Sequence, residues 1–390
     1  MKGLSRWQQF PWREGNRFQL LVDGTEIYSA MLGAIHSAQS HVLLEMYLVE
    51  SGTVMEQFIT AFLEVVMRGV KVNLLFDAYG TRGLSYYDRH RLEDAGIHIV
   101  FYNPLRYGKV RRNLLRDHRK LLIVDGSVAF VGGMGITDDF SEQRHPGLYW
   151  HDVAVQVEGP VVADWLAVFQ RNWDQWTRNK YPISASQEEF TPFSPGQTGR
   201  VAAGRFLGRP EIYRSVIKRM LGAEHHVWMM TAYFVPMHRL LRALRFAASH
   251  GVDVRLLVPG PRTDHPAVRY AGRRYFHSLL HAGVRIYEYQ PRFLHAKVVL
   301  CDGWVSLGSS NIDRWNLNLN LEGNQEVEDS RFTQQIRELF EKTMQECQEC
   351  RLDDWPSRAW YHRLQEWFWG KVELWLDNLS ESLKRRRDGD

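Results

Sequence analysis

His118-Arg119-Lys120-Leu121-Leu122-Ile123-Val124-Asp125 reads H-x-K-x4-D, and His295-Ala296-Lys297-Val298-Val299-Leu300-Cys301-Asp302 repeats the pattern. The apolar run after each lysine is too short for a helix and predicts a buried strand. Residues two apart on a strand share a face. Each copy therefore presents one imidazole beside one ammonium. Two such pairs brought together make a site for a phosphate diester. The lysines hold the anionic oxygens as point charges. One histidine attacks phosphorus, and the other protonates the leaving alcohol.

The repetition extends beyond the motifs. Arg68-Gly69-Val70-Lys71-Val72-Asn73-Leu74-Leu75 matches His250-Gly251-Val252-Asp253-Val254-Arg255-Leu256-Leu257. Ala95-Gly96-Ile97-His98-Ile99 matches Ala282-Gly283-Val284-Arg285-Ile286. Each match precedes its motif in the same order, as in a duplicated domain rather than a short solenoid repeat. A Gly-rich turn follows each motif: Gly132-Gly133-Met134-Gly135 and Gly308-Ser309-Ser310-Asn311. In the first half, apolar periodicity predicts strands over 18–22, 41–49, 71–76 and 97–102, with helices opening at Thr25 and spanning about 54–68 and 85–95. This alternation implies an α/β layered fold. Residues 178–199, rich in Pro, Ser, Gly and Gln, read as a linker. The chain then divides into residues 1–177, residues 200–350 and a Trp-rich C-terminal segment, 351–390.

The paired motifs resemble those of the phospholipase D superfamily. The closer resemblance is to bacterial cardiolipin synthases of the short type without transmembrane helices, carried by Gly308-Ser309-Ser310-Asn311-Ile312-Asp313 and Leu317-Asn318-Leu319-Asn320-Leu321-Glu322. It covers about Trp12 to Gln325. It implies two α/β/α domains packed face to face with the active site at their interface. It also implies transfer of a phosphatidyl group between two phosphatidylglycerols through a phosphohistidine, on the cytoplasmic side of the bacterial inner membrane. Asp125 and Asp302 are implied to support the site and to pair across it. His118, Lys120, His295 and Lys297 are the candidate reacting groups. Asn311 and Ser309 are the candidate phosphate-binding residues.

A nucleophilic histidine needs its second ring nitrogen oriented. Asp152, in Trp150-His151-Asp152-Val153-Ala154-Val155, and Glu322 are the candidates; a surface carboxylate at a strand end is the alternative for each. No metal or other cofactor is expected, because Lys120, Lys297 and Asn311 suffice to stabilise equatorial oxygens. Where the family's first motif carries Asn, this chain has Gly135. A missing donor predicts that Gly135→Asn raises the rate, unless Thr137 or a main-chain N–H takes the amide's place.

Composition bounds the rest. The net charge is +4 over 390 residues, with 3 cysteines and 14 tryptophans. A nuclease would carry a stronger basic balance and aromatic platforms for bases, so no nucleic-acid partner is expected; another phosphodiesterase of this superfamily, phospholipase or nuclease, or a membrane-bound scaffold with a weakened site, remains the alternative. The odd cysteine count implies no disulfide framework, and Cys347 and Cys350 read as thiols on a charged helix. No run is long enough for a membrane-spanning helix, and the N-terminus has no apolar signal core. Trp7, Phe10 and Trp12 either pack on the body or lie on a membrane; packing is the simpler reading. Arg106, Lys109, Arg111, Arg112 and Arg116, interleaved with Leu105, Tyr107, Leu114 and Leu115, suggest a rim for anionic lipid headgroups. The C-terminal stripe Tyr361, Leu364, Phe368, Val372, Trp375, Leu376, Leu379 and Leu383 precedes Lys384-Arg385-Arg386-Arg387. It fits a docked helix or an interfacial amphipathic one.

Overall fold

The computed structural model describes residues 9–183, 192–204, 211–312 and 320–353. The first half runs β1 (Arg13–Val22), α1 (Asp23–Ser37), β2 (His41–Met46), α2 (Thr53–Met67), β3 (Lys71–Asp77), α3 (Tyr86–Asp94) and β4 (His98–Tyr102), within a few residues of the periodicity. Next come a short α4 (Val110–Asn113), β5 (Arg116–Asp117), the motif strand β6 (Lys120–Val124), β7 (Val128–Gly132), β8 (Val153–Glu158) and α5 (Val162–Thr177). The second half repeats the plan: β9 (Gln197–Ala203), α6 (Glu211–Leu221), β10 (His226–Met230), α7 (His238–Ser249), β11 (Asp253–Pro259), α8 (Pro266–Arg273), α9 (Phe276–His281), β12 (Arg285–Tyr289), the motif strand β13 (Val298–Cys301), β14 (Trp304–Gly308), β15 (Asn320–Leu321), β16 (Gly323–Glu328), α10 (Ser330–Gln345) and β17 (Cys347–Cys350).

Fifteen strands form one sheet in the order β17-β12-β11-β10-β13-β14-β16-β9-β1-β8-β7-β6-β2-β3-β4. The two halves meet where β1 pairs antiparallel with β9, and from there each reads outward in the same sequence of strands. Within each half, three parallel strands carry the crossover helices and the motif strand lies antiparallel beside them. Strands covered on both faces read as continuous apolar runs; β6 and β13 are buried at every position. One core cluster packs Leu43, Leu121 and Ile123 of the first half and Trp228, Met230 and Leu300 of the second under the aromatic faces of α5 (Trp165, Phe169, Trp173) and α10 (Phe332, Phe340). The indole of Trp165 donates to Gln325 Oε1 across the halves at 2.8 Å.

Two sequence expectations are corrected here, and the packing of Phe10 and Trp12 on the body is borne out. The predicted linker ends inside β9. Gln197 Oε1 accepts the Phe18 N–H at 2.6 Å, and a Cβ at Gly199 would meet the Phe18 ring at 2.4 Å. Polar and glycine residues that mimic a linker thus build the contact between the halves. Cys347 and Cys350 lie on β17, antiparallel to β12, not on a helix, because α10 stops at Gln345. Phe10 is buried and Trp12 half-buried beneath Arg200 and Arg219, so these two pack on the body. Trp7 and the Trp360–Arg387 stretch lie outside the described residues, as do residues 184–191 of the predicted linker.

Asp125 and Asp302 do not support the site or pair across it. Each ends its motif strand in the left-handed region, with φ 52° and 48°, which Asp tolerates better than most residues. Asp125 lies five residues past Lys120, roughly 16 Å at ~3.3 Å per residue. Its carboxylate accepts the N–H groups of Gln39, Ser40 and His41, each at 2.8 Å. Asp302 accepts those of Glu224, His225 and His226 at 2.8–3.0 Å. They fix the entry of β2 and β10. Asp125→Ala should cost roughly 2–3 kcal/mol of stability, since charged acceptors are worth more than neutral ones. Thermal unfolding checks this; turnover per folded molecule is expected to stay near wild type.

Candidate active site

The two motifs meet through exchanged pairing. β5 pairs parallel with β15, Asp117 opposite Leu321, and the His118 N–H donates to Leu321 O at 2.9 Å. On the other side Leu294 bridges to His151, and the His295 N–H donates to His151 O at 2.8 Å. The residue after each of these partners is the carboxylate. His118 Nδ1 lies 3.0 Å from Glu322 Oε1, and His295 Nδ1 lies 2.6 Å from Asp152 Oδ2. Each histidine is therefore oriented by an acid of the opposite half. Asp152 and Glu322 are fully buried, which removes the surface-carboxylate alternative.

Both lysines sit beside their histidines, as strand spacing requires. Lys120 Nζ donates to His118 O at 2.7 Å. Lys297 Nζ lies 3.0 Å from His295 Nδ1 and 3.2 Å from Nε2. Burial dominates the electrostatics. It brings Lys120 down to about 7, Glu322 opposing and Lys297 adding. It brings His295 down to about 4, Lys297 adding and Asp152 opposing. His118 is lowered by burial and by Lys120, against Glu322. Phe140, Trp150 and Phe293 surround the His295 ring with centroids 5.3–5.6 Å away. Tyr47 faces His118 at 4.7 Å and lies 5.1 Å from Lys120 Nζ.

Other sequence candidates fall into place or move. Ser309 is not free to bind substrate: its hydroxyl donates to Glu322 Oε2 and accepts the Gly323 N–H. It positions the acid that holds His118. Asn311 is buried, and its Oδ1 has no hydrogen-bond partner among the described residues. Thr137 cannot replace the missing amide, because its hydroxyl caps the turn Asp138–Phe140 through the Asp139 N–H. Arg116 leaves the basic rim; it is buried against Asp77 at 3.3 Å. Arg106 and Lys109 are exposed beside exposed Leu105, Tyr107 and Leu114. Among the described residues, no three His, Cys, Asp or Glu side chains are grouped to hold a metal ion.

Sequence reasoning missed a buried polar network behind His118. Asn172 Nδ2 donates to Glu45 Oε1 at 2.7 Å and Asp117 Oδ2 at 2.6 Å. Arg119 Nη1 lies 3.1 Å from Glu45 Oε1. Burial, and then Glu45, push the Asp117 carboxyl well above the usual range. The signal was present: Asp117 and Arg119 flank His118, where Leu294 and Ala296 flank His295. A second missed cluster joins the halves: Asp23 accepts from Arg292 at 2.8 Å, lies 2.7 Å from His151 Nδ1 and accepts the Asp152 N–H at 3.2 Å.

The geometry reverses the Gly135 expectation. A Cβ there would meet Leu48 O at 2.7 Å and Leu48 Cβ at 2.8 Å, while Tyr28 OH pins the Gly135 carbonyl at 2.9 Å. Gly135→Asn should therefore lower both melting temperature and turnover; a faster enzyme with unchanged melting would contradict this. The titrations also carry a sign. A lysine near 7 loses its charge as pH rises through that value, and a histidine near 4 gains one as pH falls through it. For the free enzyme, kcat/KM should be bell-shaped: it falls on the acid side as the attacking histidine takes a proton, and on the alkaline side as the protonating histidine, and then Lys120, lose theirs. Lys120→Arg should remove only the lysine's share of the alkaline limb, because guanidinium stays charged while the protonating histidine still titrates.

The profile described as cardiolipin synthase, PLD-like domain, matches residues 31–173 and 216–344, one match per half. Cardiolipin synthase B of Salmonella typhimurium is 35% identical over 363 residues, covering 90% of this chain and 86% of that protein. Cardiolipin synthase B of Escherichia coli K12 is 34% identical over the same shares. The crystal structure of phosphatidylserine synthase from Haemophilus influenzae superposes with a TM-score of 0.72 at 12% identity, covering 93% of this chain and 94% of that one, and so shares the fold. With two motifs facing across one seam and a family match in each half, the chain belongs to the cardiolipin synthase family of phospholipase D-like proteins.

Proposed function

We propose that the chain joins two phosphatidylglycerols into cardiolipin and glycerol. The observation that carries the chemistry is the pair of buried histidines, each held at Nδ1 by a carboxylate and flanked by a lysine. Holding Nδ1 directs Nε2 at the substrate. One Nε2 attacks phosphorus of the donor lipid, and the P–O bond to the glycerol headgroup breaks as the other histidine gives that oxygen its proton. The protonating histidine, now neutral, takes the proton from the free hydroxyl of the acceptor lipid. That oxygen attacks phosphorus, and the P–N bond breaks to release the first histidine. No proton is gained or lost overall. Lys120, Lys297 and Asn311 stabilise the equatorial oxygens.

Transfer rather than hydrolysis requires water to be kept from the phosphohistidine. The aromatic surround of His295 supports this reading. Anionic phospholipids are the substrates, and the exposed basic and apolar residues of the 105–114 loop face the membrane surface. The protein works peripherally on the cytoplasmic side of the bacterial inner membrane. Among the described residues, no helix is long and apolar enough to cross a membrane.

Incubation with headgroup-labelled phosphatidylglycerol should release glycerol and yield cardiolipin; phosphatidic acid as the main product would replace transfer with hydrolysis. His118→Ala and His295→Ala should each nearly abolish product, and a trapped phosphoenzyme should survive in only one of them. Near-normal turnover by either variant would end the paired-site reading.

A further inference from the structure

We propose that the protein carries a second anionic-phospholipid site, in the groove between the edge strand β4 and the C-terminal end of α5. A cavity of about 840 Å³ opens there, and no residue of the paired motifs lines it. β4 lies three strands from β6, roughly 14 Å at ~4.8 Å per strand. Arg106, Arg112, Arg178 and Lys180 line the groove, and its lining holds no Asp or Glu. Among the described residues, no carboxylate forms an ion pair with any of these four. Four cations gathered without a counter-charge repel one another, and a phosphate relieves that repulsion.

The walls favour a lipid over a free phosphate. The Tyr102 and Trp176 rings pack at 4.7 Å, the Arg112 guanidinium lies 6.0 Å from the Trp176 ring, and Tyr181 stacks on His98 at 4.4 Å. Aromatic bodies with polar tips suit the boundary between headgroup and acyl chain. The volume far exceeds what a phosphate fills, and Leu105 and Leu114, 48% and 43% exposed, stand on the adjoining loop.

The groove is wired to the reacting strand. Arg112 Nε donates to Asn103 Oδ1 at 2.9 Å, and Asn103 Nδ2 holds the carbonyls of Arg112 and Leu115 at 2.6 and 2.8 Å. Asn103 O accepts from Arg116 Nη2 at 3.1 Å. Arg116 pairs with Asp77, which accepts the Asp117 N–H at 2.9 Å, next to His118. A lipid in the groove steadies the wall from which the first motif starts.

The test uses full-length protein carrying His118→Ala, which blocks turnover, and short-chain phosphatidylglycerol below its micelle concentration, with bound lipids counted by native mass spectrometry. The paired motifs take a donor and an acceptor lipid, so up to three lipids per chain are expected, two there and one in the groove. Adding Arg178→Glu and Lys180→Glu should weaken the groove lipid tenfold or more and leave the other two. Adding Lys120→Ala and Lys297→Ala should weaken those at the paired motifs and leave the groove lipid. Arg178→Gln with Lys180→Gln should fall between and guards against a folding defect. An unchanged count and affinity in the charge-reversed protein overturns the proposal. So does competition by inorganic phosphate or glycerol phosphate as effective as the lipid's own, which makes the groove a free-phosphate site. Groove binding by the His118→Ala protein, with the unsubstituted protein making no cardiolipin from phosphatidylglycerol, would overturn the catalytic reading and leave this one standing.

Discussion

Each motif histidine donates its backbone N–H to a carbonyl of the opposite half, one residue ahead of the carboxylate that grips its ring. This exchanged contact sets the site. A main-chain bond fixes the histidine against the opposite strand, and the carboxylate on the next residue then faces its ring. The rest of the fold serves that register: the β1–β9 seam aligns the two sheets, and α5 and α10 cover a core shared by both. The exchange also makes the halves interdependent. Alone, either half would leave its histidine without the carboxylate that orients the ring.

Much of this was legible in the sequence. The duplication, the element order and the two His–Lys faces follow from periodicity, because strand spacing fixes which side chains are neighbours. What was not legible is whatever depends on distant packing. Spacing shows that Asp152 and Glu322 are available, but not that they cross over. Asp125 stands in the motif, yet its carboxylate binds three backbone N–H groups at a strand entry far from the reacting groups. Gly135 looked like a lost donor; the Leu48 carbonyl, which no local pattern predicts, occupies the space a side chain would need. Ser309 looked like a phosphate ligand, but it braces Glu322.

The two halves solve one positioning problem with different parts. In the second half Glu322 reaches His118 with the Ser309 hydroxyl as brace. In the first, Asp152 is a methylene shorter, and Gly133 replaces the serine; a Cβ at Gly133 would meet Asp152 Oδ2 at 2.5 Å. The shorter acid is instead held from its backbone side by Asp23, itself clamped by Arg292 of the second half. Both arrangements leave the acid buried and hydrogen-bonded, so the change in length is absorbed without an orphaned charge.

The surroundings of the histidines have diverged further than the histidines. His295 sits among Phe140, Trp150 and Phe293, with Leu294 and Ala296 beside it in sequence. His118 is flanked by Asp117 and Arg119, part of a buried network with Glu45 and Asn172. Such a network is rigid only when its members are satisfied, and here the raised Asp117 carboxyl keeps its proton more readily than an ordinary one. That lets two carboxyls share the Asn172 amide without full repulsion. Around His295, beyond the grip of Asp152 and Lys297, the neighbours are aromatic rings. Behind His118, hydrogen bonds continue to Asp77, Arg116 and Asn103, and so to the molecular surface. A duplicated site has thereby acquired one imidazole ringed by aromatic side chains and one backed by a polar network that reaches the outer edge of the sheet.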